Sequence, residues 1–331
     1  MEKQPSKAQQ LKTLVIGGAR SPREPKIFHK LSLIAFFAWV GLGADGLSSS
    51  CYGPEEAFLA LKGHTYLAIF VALASALTIF VISRSYSQIV ELFPGGGGGY
   101  LVASKLLSPT VGMISGCALL IDYVLTITLS VASGADALFS FLPPGWLSFK
   151  LEFAVFGVVI LIILNLRGVK ESVVSLVPIF LIFIITHAIA ILYIIGTHLM
   201  NFSDVAAGTV AEVQRSHSEI GLIGMVLLML RAYSMGAGTY TGIEAVSNGL
   251  PILREPKVQT AKRTMNYMAV SLAITVVGLM LAYILLEVTR EPGKTLNAVL
   301  FERMTRDWGG WGHGFLWVIL LSEAVLLFIA A

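Results

Sequence analysis

Asp45, Asp122 and Glu244 are carboxylates set in stretches otherwise apolar enough to cross a membrane. A charge at that depth costs about 2.5–3.5 kcal/mol on insertion scales, so such residues mark solute or ion pathways more often than ordinary packing. Asp45 lies in Gly43-Ala44-Asp45-Gly46-Leu47-Ser48-Ser49-Ser50-Cys51-Tyr52-Gly53-Pro54, between the apolar residues 31–40 and 57–61. Glycines, serines and a proline there predict a helix broken in mid-membrane. Broken backbone at that depth is tolerated only where it lines a cavity or packs on protein. A Gly/Ser kink packed on a neighbouring helix is the plainer alternative.

Residues 234–244, Ser-Met-Gly-Ala-Gly-Thr-Tyr-Thr-Gly-Ile-Glu, repeat the anomaly between apolar 221–230 and 245–250. Glycines, hydroxyls and one carboxylate, Glu244, again interrupt a span. Asp122, Thr126 and Ser130 are spaced i, i+4, i+8, which puts them on one helical face. Membrane hydroxyls often bond only their own helix or a neighbour; an aspartate at the head of the stripe favours a lined path.

The elements that must position these residues follow from composition. Hydrophobic residues make up 56% and charged residues 13% of the 331, against about 25% charged in soluble domains. With a mean hydropathy of +0.79, the chain reads as an all-α polytopic membrane protein. A span needs about 20 apolar residues, which predicts eight segments: about 31–61, 66–88, 111–133, 153–166, 173–200, 220 onward, 267–288 and 314–331. Segments one and six, broken alike and five apart, suggest an inverted five-plus-five repeat. The first repeat then covers about 31–200 and the second about 220–331, after a basic cytosolic tail over 1–30. With the N-terminus inside, fifteen Lys/Arg fall in inner loops and seven in outer loops, the bias expected for that orientation.

Other readings are weaker. A net charge of +3 says little about partners. Cys51 and Cys117 give neither a disulfide framework nor metal-ligand spacing, and no secretory signal is visible. The run 94–100, Pro-Gly-Gly-Gly-Gly-Gly-Tyr, lacks the Lys-Ser/Thr of a phosphate loop, and no strand precedes it. It is expected to be a flexible inner loop joining segments two and three. The polar stretch 201–219 gives no sign of a domain. His187 has no acidic residue four positions away and reads as a satisfied interior or interface histidine. Glu323 falls inside segment eight, where the sequence does not place it. No Ser/His/Asp set and no HExxH supports an enzyme.

With these residues quoted, the chain resembles the amino acid–polyamine–organocation (APC) superfamily, most narrowly its KimA-type proton-coupled potassium importers. The carrying stretches are Ala44–Ser49 through Tyr52-Gly53, Phe93 through Tyr100, Asp122–Thr126, Asn165–Gly168 and Thr241–Asn248, which span most of the membrane part. The resemblance implies a LeuT-like fold with segments one and six broken around a central site. It implies that Asp45, Tyr52, Asp122, Thr126, Ser130, Thr241 and Glu244 surround potassium. That family has ten or more segments and a cytosolic C-terminal domain that binds a cyclic dinucleotide. This chain stops at Ala331, inside segment eight, so a truncated second repeat is expected.

The expected function is therefore secondary active transport in the cell membrane, most simply proton-coupled potassium uptake, with no cofactor beyond the carried K⁺ and H⁺. Potassium is held by several oxygens, which three carboxylates, a phenol, hydroxyls and unwound carbonyls supply. Desolvation favours a carboxylate's protonated form, and Glu244, then Asp122, are the expected proton carriers. The alternative is an amino-acid or amine/polyamine permease of the same fold. Such sites meet a substrate carboxylate with free N–H groups at half-helix ends, where Asp45 would repel it; an amine would be accepted. A scaffold that has lost transport would not need the acidic residues. Expected partners are membrane lipid and the small cation or amine solute, no nucleic acid, and a second copy in a homodimer.

Overall fold

A computed structural model describes residues 32–167 and 169–331, without the side chains at 164, 165, 167 and 169–175. The basic tail over 1–30 lies outside the described residues, as do Gly168 and the side chains of Asn165 and Arg167.

Regular structure among the described residues is helical, apart from an isolated parallel bridge between Leu33 and Leu253. Segment one is α1 (Ala35–Ser48), a 3-10 turn (Ser49–Cys51) and α2 (Gly53–Ala60). Segments two to five are α3 (Ala68–Leu92), α5 (Pro109–Phe139), α6 (Lys150–Arg167) and α7 (Val169–Thr197), with the short α4 (Gly98–Val102) between the first two of these. Segment six is α8 (Phe202–Met235), a 3-10 stretch (Gly236–Tyr240) and α9 (Ala245–Asn248). Then come α10 (Lys257–Leu285), α11 (Leu296–Thr305) and α12 (Gly310–Ala330).

Seven of these helices are long and apolar enough to cross a membrane. Segment one falls outside that count because its halves have 14 and 8 residues. Helix α10 is the most enclosed span, whereas α6 leaves most of its apolar side chains outward. Outward apolar residues are what a lipid-facing helix should have. The protein is thus an all-α polytopic membrane protein.

The two most extensive helix contacts join α3 to α10 and α5 to α12. These are segments two with seven and three with eight, so partners five apart meet. The entry to segment one is tied to the exit of segment six: Leu33 N–H donates to Ile252 O at 3.0 Å, and Arg254 N–H to Leu33 O at 2.9 Å.

The structure adds three features to the reading from sequence. The polar stretch 201–219 is helical and forms the first part of α8, which turns at Gly221 (φ 71°, ψ 170°). Its polar side chains are used: His64 Nδ1 lies 2.9 Å from both Glu212 Oε1 and Ser216 Oγ, and Arg215 Nε donates to Glu219 at 2.9 Å. The glycine run does more than turn. Gly96, Gly97 and Gly98 all have positive φ, and a Cβ at Gly98 would collide with the Asn248 side chain, so the loop packs on the end of segment six. Between segments seven and eight, α11 is buried along most of its length; the spans named from sequence do not include it.

Candidate functional site

The first break is braced by its own serines. Ser48, Ser49 and Ser50 each donate to the carbonyl three residues back, Asp45 O at 2.8 Å, Gly46 O at 2.6 Å and Leu47 O at 2.7 Å. Pro54, lacking an N–H, then opens α2 where no helical partner is needed. These three hydroxyls brace the turn.

Glycines bring the two breaks together. A Cβ at Gly53 would overlap the Thr239 side chain, and one at Gly236 would lie 2.8 Å from Ala57 Cβ. A Cβ at Gly238 would lie 2.7 Å from the Tyr52 ring. Gly242, at φ +83°, would put a Cβ 2.7 Å from both Asp45 Oδ2 and Gly46 N. Ser49 Oγ also reaches across to Thr239 O at 3.2 Å. The breaks therefore lie side by side, with Asp45 against the turn before Glu244.

Helix α5 closes the third side. Thr126 and Ser130 are buried and Asp122 is half-buried, while Leu125 and Thr128 are exposed. The stripe turns inward. The Tyr52 hydroxyl faces Thr241 and Ser130, and Asp45 is close enough to Glu244 and Asp122 to interact electrostatically. Thr241 Oγ1 donates to Gly238 O at 2.7 Å, which leaves its lone pairs free to accept.

Four oxygens here are buried without a hydrogen-bond partner: Asp45 Oδ1, Tyr52 OH, Ser130 Oγ and Glu244 Oε1. They come from segments one, three and six. Buried polar atoms are nearly always paired, so four orphans in one place are a strong signal of a ligand site. Among the described residues, none of the three carboxylates forms an ion pair.

Two cavities approach this cluster from opposite ends of the bundle. One, of about 540 Å³, runs from Lys62, Lys150 and the 290–295 loop down to Cys51, Tyr52 and Glu323. At its mouth Lys294 is held by Glu302 at 2.6 Å and Glu291 at 3.2 Å, and the hydrogen bond it donates to Glu302 raises its ammonium above the ordinary lysine range. The other, of about 280 Å³, is lined by Asp122, Glu244, Tyr86, Tyr100 and Asn248. Asp45 lines neither.

Asp45, Tyr52, Asp122, Ser130, Thr241 and Glu244 lie near one another, and Thr126 is buried on the same face of α5. Sequence reading missed Tyr86, Tyr123 and Asn248. Asn248 Nδ2 donates to Tyr123 OH at 2.8 Å, and Tyr86 faces Glu244 and Asp122. Tyr123, next to Asp122, was the one detectable signal, since a phenol in a span prefers a polar partner.

Comparison with known proteins places the chain in a family. A family model described as "Amino acid permease" matches residues 31–331. The chain is 32% identical over 282 residues to a protein of Bacillus subtilis (strain 168) named "Potassium transporter KimA", covering 82% of this chain and 44% of that protein. It is 26% identical over 189 residues to the "Low-affinity putrescine importer PlaP" of Escherichia coli (strain K12), covering 56% of this chain and 38% of the other. The chain therefore spans less than half the length of the curated relatives it matches.

Proposed function

Because the chain belongs to the amino acid permease family, we propose that it carries potassium through the Asp45 site, with protons as the coupling ion. The observation that carries this reading is the cluster of four orphaned oxygens beside three carboxylates with no ion-pair partner among the described residues. A cation satisfies both deficits at once; an anion would leave the carboxylates uncompensated. Carboxylate, phenol and hydroxyl oxygens suit a hard cation. The name of the Bacillus relative supports potassium.

Proton coupling follows from charge balance. One monovalent cation neutralises one carboxylate of three, and leaving two more charges at membrane depth is costly. Protons on Glu244 and Asp122 relieve that cost. Both line the smaller cavity whereas Asp45 does not, which supports Glu244 and then Asp122 as the carriers. With the N-terminus cytoplasmic, the larger cavity faces outward and the smaller inward, and the two repeats cover about 31–200 and 220–331.

A second reading is an organic amine. Tyr86 and Tyr100 line the smaller cavity with two carboxylates, and aromatic faces attract ammonium groups; the putrescine importer's likeness supports it too. A zwitterionic amino acid fits less well, because the Asp45 carboxylate sits where a substrate carboxylate would meet free backbone N–H groups. Rubidium uptake into proteoliposomes with an imposed pH gradient tests the proposal. Gradient-driven rubidium uptake resistant to putrescine supports potassium. Putrescine uptake without rubidium uptake refutes it in favour of the amine.

A further inference from the structure

A second buried cluster lies outside the Asp45 site. Helices α7 and α12 bring His187 and Glu323 together, each 1% exposed, with Nε2 and Oε2 3.8 Å apart. Both atoms are buried without a hydrogen-bond partner. The imidazole is held between the Phe183 ring, 3.9 Å away centre to centre, and the edge of Phe301 at 5.4 Å.

The hydrogen bonds fix the chemistry. His187 Nδ1 lies 3.0 Å from Phe183 O. A carbonyl can only accept, so Nδ1 carries a hydrogen. Nε2 then holds either a lone pair or a second proton. A bare lone pair facing a bare carboxylate is repulsive, so a proton belongs between them, on nitrogen or on oxygen.

The cluster also reaches the first break. Asn297 Nδ2 donates to Glu323 Oε1 at 3.0 Å and to Cys51 O at 3.3 Å. Tyr283 OH donates to Asn297 Oδ1 at 2.5 Å. Cys51 precedes Tyr52, and Cys51, Tyr52 and Glu323 all line the larger cavity. The other titratable groups facing the cluster are the Cys51 thiol, Glu55 on α2 and Tyr283 on α10. Glu55 is itself engaged, accepting from Leu296 N–H at 3.1 Å.

We propose that His187 and Glu323 form a proton-binding pair, reached from the larger cavity, which acts on the first break through Asn297 and Cys51 O. Loss of the shared proton leaves Glu323 charged against a neutral imidazole. The carboxylate then draws harder on Asn297 Nδ2, whose second bond holds the Cys51 carbonyl. The coupling role rests on the transport reading above; proton binding by the pair does not.

The test therefore begins without substrate. Infrared difference spectra of the purified protein between about pH 5 and pH 8, the window in which an ordinary histidine changes charge, should contain a carboxyl or imidazole signal. Glu323→Gln, which keeps the shape and the Asn297 bond, and His187→Gln should each abolish it, and the double variant should change nothing further. Titration bands unchanged in Glu323→Gln would overturn the pair, as would losses that simply add in the double variant. If His187→Gln does not fold, Glu323→Gln alone decides between these outcomes. Rubidium uptake against outer pH then tests coupling: Glu323→Gln should shift the profile that Glu244 and Asp122 otherwise set, and an unchanged profile would overturn that role. A wild type with the proton signal but no rubidium uptake would sink the transport reading and leave the pair standing.

Discussion

Asp45→Asn separates a cationic substrate from a zwitterionic one. Asparagine keeps the shape and one carbonyl oxygen but removes the charge. Asp45 Oδ2 lies close over Gly242, while Oδ1 is buried and unpartnered, so Oδ1 is the oxygen offered to a ligand. A unit charge about 4 Å from a carboxylate, at an effective dielectric of about 20, interacts by about 4 kcal/mol. If binding must first displace a proton from the cluster, part of that is lost, and about 2 kcal/mol is a reasonable floor for the same pair. At 1.4 kcal/mol per decade the range is roughly 30- to 700-fold in cation affinity. The assay is the half-saturation of rubidium uptake in proteoliposomes, wild type against variant at one pH. A change under about threefold, less than 1 kcal/mol, with an unchanged maximal rate would remove Asp45 from the site and the cation reading with it. A zwitterionic substrate predicts a mild or even favourable effect, because a repulsion is lifted.

Other expectations follow from the same coordinates. Gly242→Ala places a Cβ 2.7 Å from Asp45 Oδ2 and Gly46 N at a φ of +83°; it should cost about 1–3 kcal/mol in stability and impair uptake, and a wild-type melting profile with full uptake would refute the close approach. With Cys51 and Cys117 replaced, a water-soluble thiol reagent should modify Asp122→Cys, which lines a cavity, but not Thr128→Cys, which is exposed on the opposite side of α5; equal labelling would count against an inward stripe. Asn297→Ala leaves Tyr283 OH and Glu323 Oε1 without their partners and should destabilise by about 1–3 kcal/mol per stranded group. Tyr283→Phe strands one acceptor only, so denaturation curves that rank it as the worse of the two would contradict the network.

Much of the site was legible because a membrane makes polar residues informative. A carboxylate among apolar residues needs a reason in lipid that it would not need in water, and this pointed to Asp45, Asp122 and Glu244. Periodicity then gave the inward face of α5. What was not legible depended on contacts between distant helices. His187 has its acidic neighbour 136 positions away, at Glu323, where no helical spacing rule can look. Ser48, Ser49 and Ser50 have the composition of ligands, but only the geometry gives their bonds to backbone carbonyls. The stretch 201–219 was too polar to register as part of a span. Its helix is held by His64 and Gly221, whose roles are set by tertiary contact and backbone angle.

The burial pattern bears on how such a site could open. The four orphaned oxygens are all closed to solvent, yet residues that carry them also line the two cavities: Tyr52 the larger, Glu244 the smaller. The separation between each cavity and the cluster is thus made partly of the candidate ligands themselves. Tyr52 lies on Gly238, and Asp45 lies on Gly242, with no side chain between. Close glycine contacts let the halves of segments one and six shift without first displacing bulky groups. A cation that ties Asp45, Tyr52 and Glu244 together would draw the two breaks into one unit, and its loss would free them. Occupancy and closure are then linked by the same oxygens. This accounts for helices broken at the site, where an unbroken helix would offer neither free side-chain geometry nor a hinge.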